Sequence, residues 1–145
     1  MALVNYPIIT ILRQTRTTMT AKTKIELEFP IKCSPSVLYN RLSTASGLTE
    51  WFADDVNVKG KRFSFFWDGS EQVAEMVQNK DTRLVRFKWD DDEDEDTFFE
   101  FLIEKDELTG DVTLIITDFA DAGDEEETTE LWNTQISDLK RVLGC

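Results

Sequence analysis

Histidine is absent from the 145 residues of this chain, and no other feature removes as much chemistry. Without it there are no Ser-His or Cys-His nucleophilic pairs, no His-bearing zinc sites and no imidazole proton shuttles. Cysteine is nearly absent, with only Cys33 and Cys145. Neither lies in a C-x-x-C motif, and the ending "VLGC" is not a prenylation box. Cys145 is the last residue, where chains fray, so the expectation is two free thiols in a reducing cytosol rather than a disulfide. Cationic residues are scarce: 16 Lys and Arg face 29 Asp and Glu, for a net charge of −13. Phosphate backbones and anionic lipid surfaces both require cations. Neither nucleic acid nor an anionic membrane is therefore expected as a partner, and the charge itself reads as a device for solubility.

No apolar run is long enough to cross a bilayer. The first stretch, "LVNYPIITIL", is interrupted by Asn5 and Pro7 and precedes its positive charges, the reverse of a secretory signal. Residues 1–18 hold two arginines and no acidic residue, while the remainder carries 14 basic and 29 acidic residues. Met19 opens "MTAKTKIELEFPI", which reads as the start of a domain. The expectation is that residues 1–18 are an upstream extension outside the fold, that 19–145 form one domain, and that the location is cytoplasmic.

What the chain has is aromatic bulk, ten Phe and four Trp, each able to remove ~150–250 Å² from water when buried. Residues 22–31 alternate, with Ile25, Leu27, Phe29 and Ile31 on one face, and predict a half-buried strand. Ser34-Pro35 is a strong helix start, and "PSVLYNRL" turns Val37, Leu38 and Leu42 to one side. After "STAS", the stretch "GLTEWF" predicts a second short helix. Strands follow: "VNVKG"; "RFSFFW", with Phe63, Phe65 and Trp67 on one face; a turn at Asp68-Gly69; and "EQVAEMVQ", whose pattern also reads as helix but whose place between two strands argues for strand. "RLVRFKW" places Val85, Phe87 and Trp89 inward and Leu84, Arg86 and Lys88 outward. "TFFEFLIEK" puts Phe99, Phe101 and Ile103 on one face, and "VTLIITDF" turns Val112, Leu114 and Ile116 inward. Short connections suit an antiparallel sheet. The last segment is a helix with acids in its first turn, Lys140 and Arg141 in its last, and Gly144 behind it. Its stripe is Trp132, Ile136, Leu139 and Leu143.

Strand, two short helices, a meander of strands and a long C-terminal helix make an α+β order. It resembles the helix-grip fold shared by START-like lipid-binding domains and the birch-pollen allergen. Within that superfamily it is similar to the branch related to the activator of the heat-shock-protein ATPase. Three stretches carry the resemblance: "GLTEWFADDV", "RLVRFKW" and "LWNTQISDLKRVL". The resemblance implies a curved sheet of six or seven strands around the C-terminal helix, with a cavity between them. Members bind lipids, sterols, polyketides or other apolar molecules, and some are enzymes or co-chaperones. No catalytic motif is common to them, so none carries over.

The candidate ligand-cavity residues are Trp51, Phe52, Phe63, Phe65, Trp67, Val85, Phe87, Trp89, Phe99, Phe101, Leu114, Ile116, Trp132, Ile136 and Leu139. Two readings stay open for them: a close-packed core, or the lining of an apolar cavity. Trp51 and Phe52 are neighbours on the expected second helix, about 100° apart, so one is expected to plug the core while the other overhangs a rim. The run Asp90–Asp96, "DDDEDED", is expected as a solvated hairpin loop. It lacks the glycine and distant Glu of an EF-hand, and its further reading is a docking site for a basic protein partner. The acids at 118–127 suit a helix N-terminus. Glu75 is a candidate general acid or base only if the Val73/Val77 face points inward. No catalytic, cofactor-binding or metal-ligating residue is assigned. The leading functional expectation is a non-catalytic binder of a small hydrophobic ligand. The alternatives are a chaperone-regulating interaction module and a cyclase- or hydrolase-type enzyme.

Overall fold

Alternating side chains make the first strand of the computed structural model, which describes residues 22–145. The reading of residues 1–18 as an extension lies outside them. In β1 (Lys22–Ile31), Ile25, Leu27 and Phe29 are half-buried while the residues between them are exposed. Ser34 then caps α1 (Pro35–Ser43), its hydroxyl accepting from the Val37 amide at 3.3 Å. Thr44 ends α1 and caps α2 (Ala45–Thr49), accepting from the Gly47 amide at 2.9 Å. One residue thus serves both helices, and the two pack tightly around Gly47.

Six further strands follow: β2 (Asp55–Lys59), β3 (Arg62–Trp67), β4 (Ser70–Lys80), β5 (Leu84–Trp89), β6 (Phe99–Lys105) and β7 (Val112–Asp121). The β3–β4 turn at Asp68-Gly69 has φ of 51° and 83°, the paired left-handed conformation of a tight hairpin. The resulting seven-stranded curved sheet is antiparallel, in the order β1-β7-β6-β5-β4-β3-β2. α1 and α2 carry the chain from one edge strand to the other. α3 (Glu125–Leu143) ends at Gly144 in the left-handed region, φ 77°. Leu38, Leu42, Leu48, Ile136 and Leu139 join the inward strand residues in one cluster, so the helices cover the same face of the sheet.

The structure corrects several expectations. Val37 is 45% exposed while Leu38 and Leu42 are fully buried; on a helix it sits about 100° round from Leu38 and misses the core. Leu84, expected outward, is buried. Its register partner is Leu102, which faces Ile115, and this apolar row across the outer face shields its members from water. Glu75 is exposed, between Arg62 and Lys88 in the ladder. Its neighbours Gln72 and Ala74 turn inward instead, so Glu75 has no place inside the grip.

Candidate functional site

The site is built on the turn after α2. Trp51 and Phe52 do not lie on a helix: α2 ends at Thr49, and the amides of Phe52 and Ala53 both reach back to the Leu48 carbonyl at 2.8 and 3.2 Å. The turn directs both rings inward, with exposures of 3% and 1%, so neither overhangs a rim. The Trp51 indole N–H donates to the Arg41 carbonyl at 2.8 Å, and its ring meets Phe101 edge-on at 5.8 Å. Phe52 contacts Phe65, Trp67 and Trp132 at 5.1, 5.4 and 6.0 Å. Asp54 and Asp55 then turn out to solvent. Asp54 accepts from the Asp68 amide at 2.7 Å, which ties this turn to the β3–β4 hairpin.

The Phe52 carbonyl is a buried hub. It accepts the Trp67 indole N–H at 2.7 Å and the Gln135 side-chain amide at 3.1 Å. Gln135 is completely buried, so these bonds cover the cost of placing an amide and a carbonyl inside the core. They also link the turn after α2, β3 and α3. Neither group was singled out from the sequence. The available signal was a polar residue interrupting the stripe between Trp132 and Leu139.

Beneath the turn, Phe87 and Phe99 stack at 4.9 Å, and Trp89 lies 4.9 Å from Phe99. Phe63 meets Phe87 at 5.1 Å. Trp132, from α3, is 5.8 Å from Phe101 and donates its indole N–H to Asp118 of β7 at 2.9 Å. All fifteen candidate residues are buried, with Trp89 the most accessible at 7%. The rings are spaced as packed aromatic neighbours are.

Among the described residues, a partly open gap lies at the seam between α3 and the sheet. It has a volume of about 50 Å³, with Phe52, Trp89, Phe99, Leu131 and Trp132 among its walls. Ligand pockets usually measure ~300–1,000 Å³, so the space now present suits about one or two waters. The mouth is polar, with Lys22, Asp118, Asp121, Asp124 and Glu127 around it. Lys22 bridges Asp121 at 3.3 Å and lies 3.9 Å from Asp92. Glu125, opening α3, accepts from the Gly123 amide at 2.7 Å. Bonds from its own amide and that of Gly123 hold its carboxyl below the usual range.

The acidic run joins β5 to β6 as a loop, but Asp92 departs from the expected solvated chain of charges. Its carboxylate turns in and accepts from the Thr97 hydroxyl at 2.5 Å. Lys88 donates to the carbonyls of Asp94 and Thr97, the latter at 2.8 Å. Burial pushes the Asp92 carboxyl up, yet bonds from Thr97 and the Asp94 amide, with Lys22 and Lys88 nearby, outweigh it and hold it below its ordinary value. A charge whose bonds replace its lost water is stable inside. Asp90, Asp91 and Glu93–Asp96 stay exposed.

One family model, the START-like superfamily domain, matches residues 19–145. The chain belongs to the START-like superfamily. A Bacteroides fragilis protein solved in solution is 38% identical, over 86% of this chain and 93% of that one, with a TM-score of 0.63. The Aha1 dimer of Colwellia psychrerythraea is 20% identical over 81% of this chain and 93% of that one, with a TM-score of 0.70. A Mesorhizobium loti protein is 16% identical over 84% and 97% of the two chains, at a TM-score of 0.65. The last two share the fold, and the presence of the Aha1 dimer agrees with the branch that the sequence resembles. Comparison with curated proteins gives no match. Among the described residues, no helix of this START-like domain is long and apolar enough to cross a membrane.

Proposed function

We propose that this START-like domain binds a small apolar molecule in its grip without acting on it chemically. The observation that carries the reading is the aromatic-walled gap of about 50 Å³ at the seam between α3 and the sheet, beneath a polar mouth. START-like domains typically bind hydrophobic ligands, and the lining of this gap combines aromatic rings with charged groups. A ligand larger than a few waters enters by moving the first turns of α3 away from β7. The Trp132–Asp118 bond at 2.9 Å spans that opening. The ligand's contacts replace ring–ring contacts, so the empty form stays closed. A cytoplasmic location belongs to this reading.

Native mass spectrometry of protein purified gently from its own source tests it. The expected result is a co-purifying apolar molecule that an organic solvent removes. Bare protein that also fails to take up a neutral fluorescent apolar probe contradicts the reading.

The acidic loop supports a second role, docking a basic protein partner. Lys88, Thr97 and the inturned Asp92 brace the loop from within, and its remaining carboxylates face solvent. Braced charges lose less entropy on binding than a mobile run does. Salt-sensitive binding of a lysine-rich peptide, abolished when Glu93–Asp96 are neutralised, is the expected behaviour. Equal binding by the neutralised variant contradicts it.

A further inference from the structure

The two cysteines are 112 positions apart in sequence, yet their sulfurs lie 3.1 Å apart. The approach follows from how α3 ends. Gly144 takes the left-handed conformation, and the amides of Gly144 and Cys145 bond to the carbonyls of Arg141 and Lys140 at 3.2 and 3.0 Å. These bonds reverse the chain and satisfy the last helical carbonyls. The final residue, expected to be mobile, is thereby held against the β1–α1 junction. Cys33, at that junction, packs on the core cluster, as do Val142 and Leu143 of the last helical turn. Both thiols are free.

We propose that Cys33 and Cys145 are a site of reversible oxidation, joined by small disulfide compounds into a bond that fastens the end of α3 to the β1–α1 junction. A disulfide needs a sulfur separation of ~2.05 Å, so closure requires roughly an ångström of movement just beyond the α3 cap. Access exists from both sides: Cys145 is exposed, and Cys33 borders an open groove of about 740 Å³. The aromatic gap borders α3 at Glu127–Trp132. The bond therefore anchors the helix end far from that gap and leaves the opposite end able to move.

The order of events follows from the environments. Burial and the hydrogen bond with Cys145 push the Cys33 thiol up to about 11, against the pull of Arg41. Cys145, the exposed thiol, is the first nucleophile. As a thiolate it attacks one sulfur of an oxidised glutathione molecule. The S–S bond of the oxidant breaks, one glutathione thiolate leaves, and a mixed disulfide remains on Cys145. Cys33 then loses its proton to solvent and attacks the Cys145 sulfur, expelling the second glutathione thiolate. Each protein sulfur is oxidised by one electron, and the oxidant is reduced to two thiols. Because Cys33 must deprotonate, closure accelerates about tenfold per pH unit well below its titration.

Treatment of the full chain with oxidised glutathione, followed by intact mass, peptide mapping and thermal melting, tests the proposal. The expected product is a monomer lacking two hydrogens, with the Cys33 and Cys145 peptides linked. Closing so long a loop raises Tm by about 10 °C, and dithiothreitol reverses the change. Cys33→Ser stops at a glutathione adduct on Cys145 and gains no stability. A wild-type chain that also stops at the adduct, that links to a second chain, or that forms the bond with no rise in Tm overturns it.

Discussion

Removing the Trp51 ring should cost roughly 3–5 kcal/mol, the usual loss for a buried aromatic. The ring is 3% exposed, fills space beside Phe101 and satisfies its N–H on the Arg41 carbonyl. Thermal melting of Trp51→Ala checks this, and an unchanged melt contradicts it. Trp132→Phe makes a finer test. It keeps an aromatic ring against Phe52 and Phe101 but removes the donor to Asp118. The expected stability loss is about 1.5–3 kcal/mol, the worth of a hydrogen bond to a charged group, together with easier uptake of an apolar probe because the seam is looser. That Trp132 faces the sheet was legible from its place in the α3 stripe. The direction of Trp51 and Phe52 was not. The sequence pattern suggests a helix through both, and the chain leaves the helix at Thr49, so both rings fall inward.

Among the elements, the α1–α2 corner depends on a missing side chain. A Cβ on Gly47 would sit 2.3 Å from the Asn40 carbonyl oxygen and 2.7 Å from the Arg41 Cα, both backbone atoms unable to move aside alone. Gly47→Ala should therefore destabilise the fold by roughly 1–3 kcal/mol through overpacking, measured by denaturant unfolding. The β5–β6 loop supplies the pH dependence. Asp92 titrates below its unfolded value in the native state. Its contribution is complete above the unfolded value, ~3.9, and is lost as pH falls through the lower folded one. Wild-type Tm should fall on acidification in that range, and Asp92→Asn should be less stable at neutral pH with a flatter acid limb. Parallel acid limbs would contradict the assignment. The run of acids disclosed a loop, but not that Asp92 turns inward. That fate is set by Lys88 on the neighbouring strand, Thr97 across the loop and Lys22 on β1, which only the folded sheet brings together.

For the whole molecule, the two-residue alternation of the strands and the Trp132–Ile136–Leu139 stripe were enough to read a helix gripped by an antiparallel sheet. Each signal is local; short connections force the neighbours from β2 to β7 to pair, and β1 adds beside β7 by a long-range pairing. The volume left inside was not legible, because it is a small difference between ring sizes and the spacing of sheet and helix. The Cys33–Cys145 approach was equally hidden: it depends on the length of α3 and its left-handed cap at Gly144. The central claim is that an apolar molecule enters at the seam beside Trp132 by shifting the start of α3. With a net charge of −13, a neutral probe such as N-phenyl-1-naphthylamine is the appropriate choice. Its titration, followed by the ¹⁵N–¹H spectrum, should saturate and move the Trp132 and Trp89 indole signals with the amides of 125–132, leaving the Trp51 indole nearly still. All four indole signals and the α3 amides standing unmoved up to the solubility limit of the probe would contradict the account.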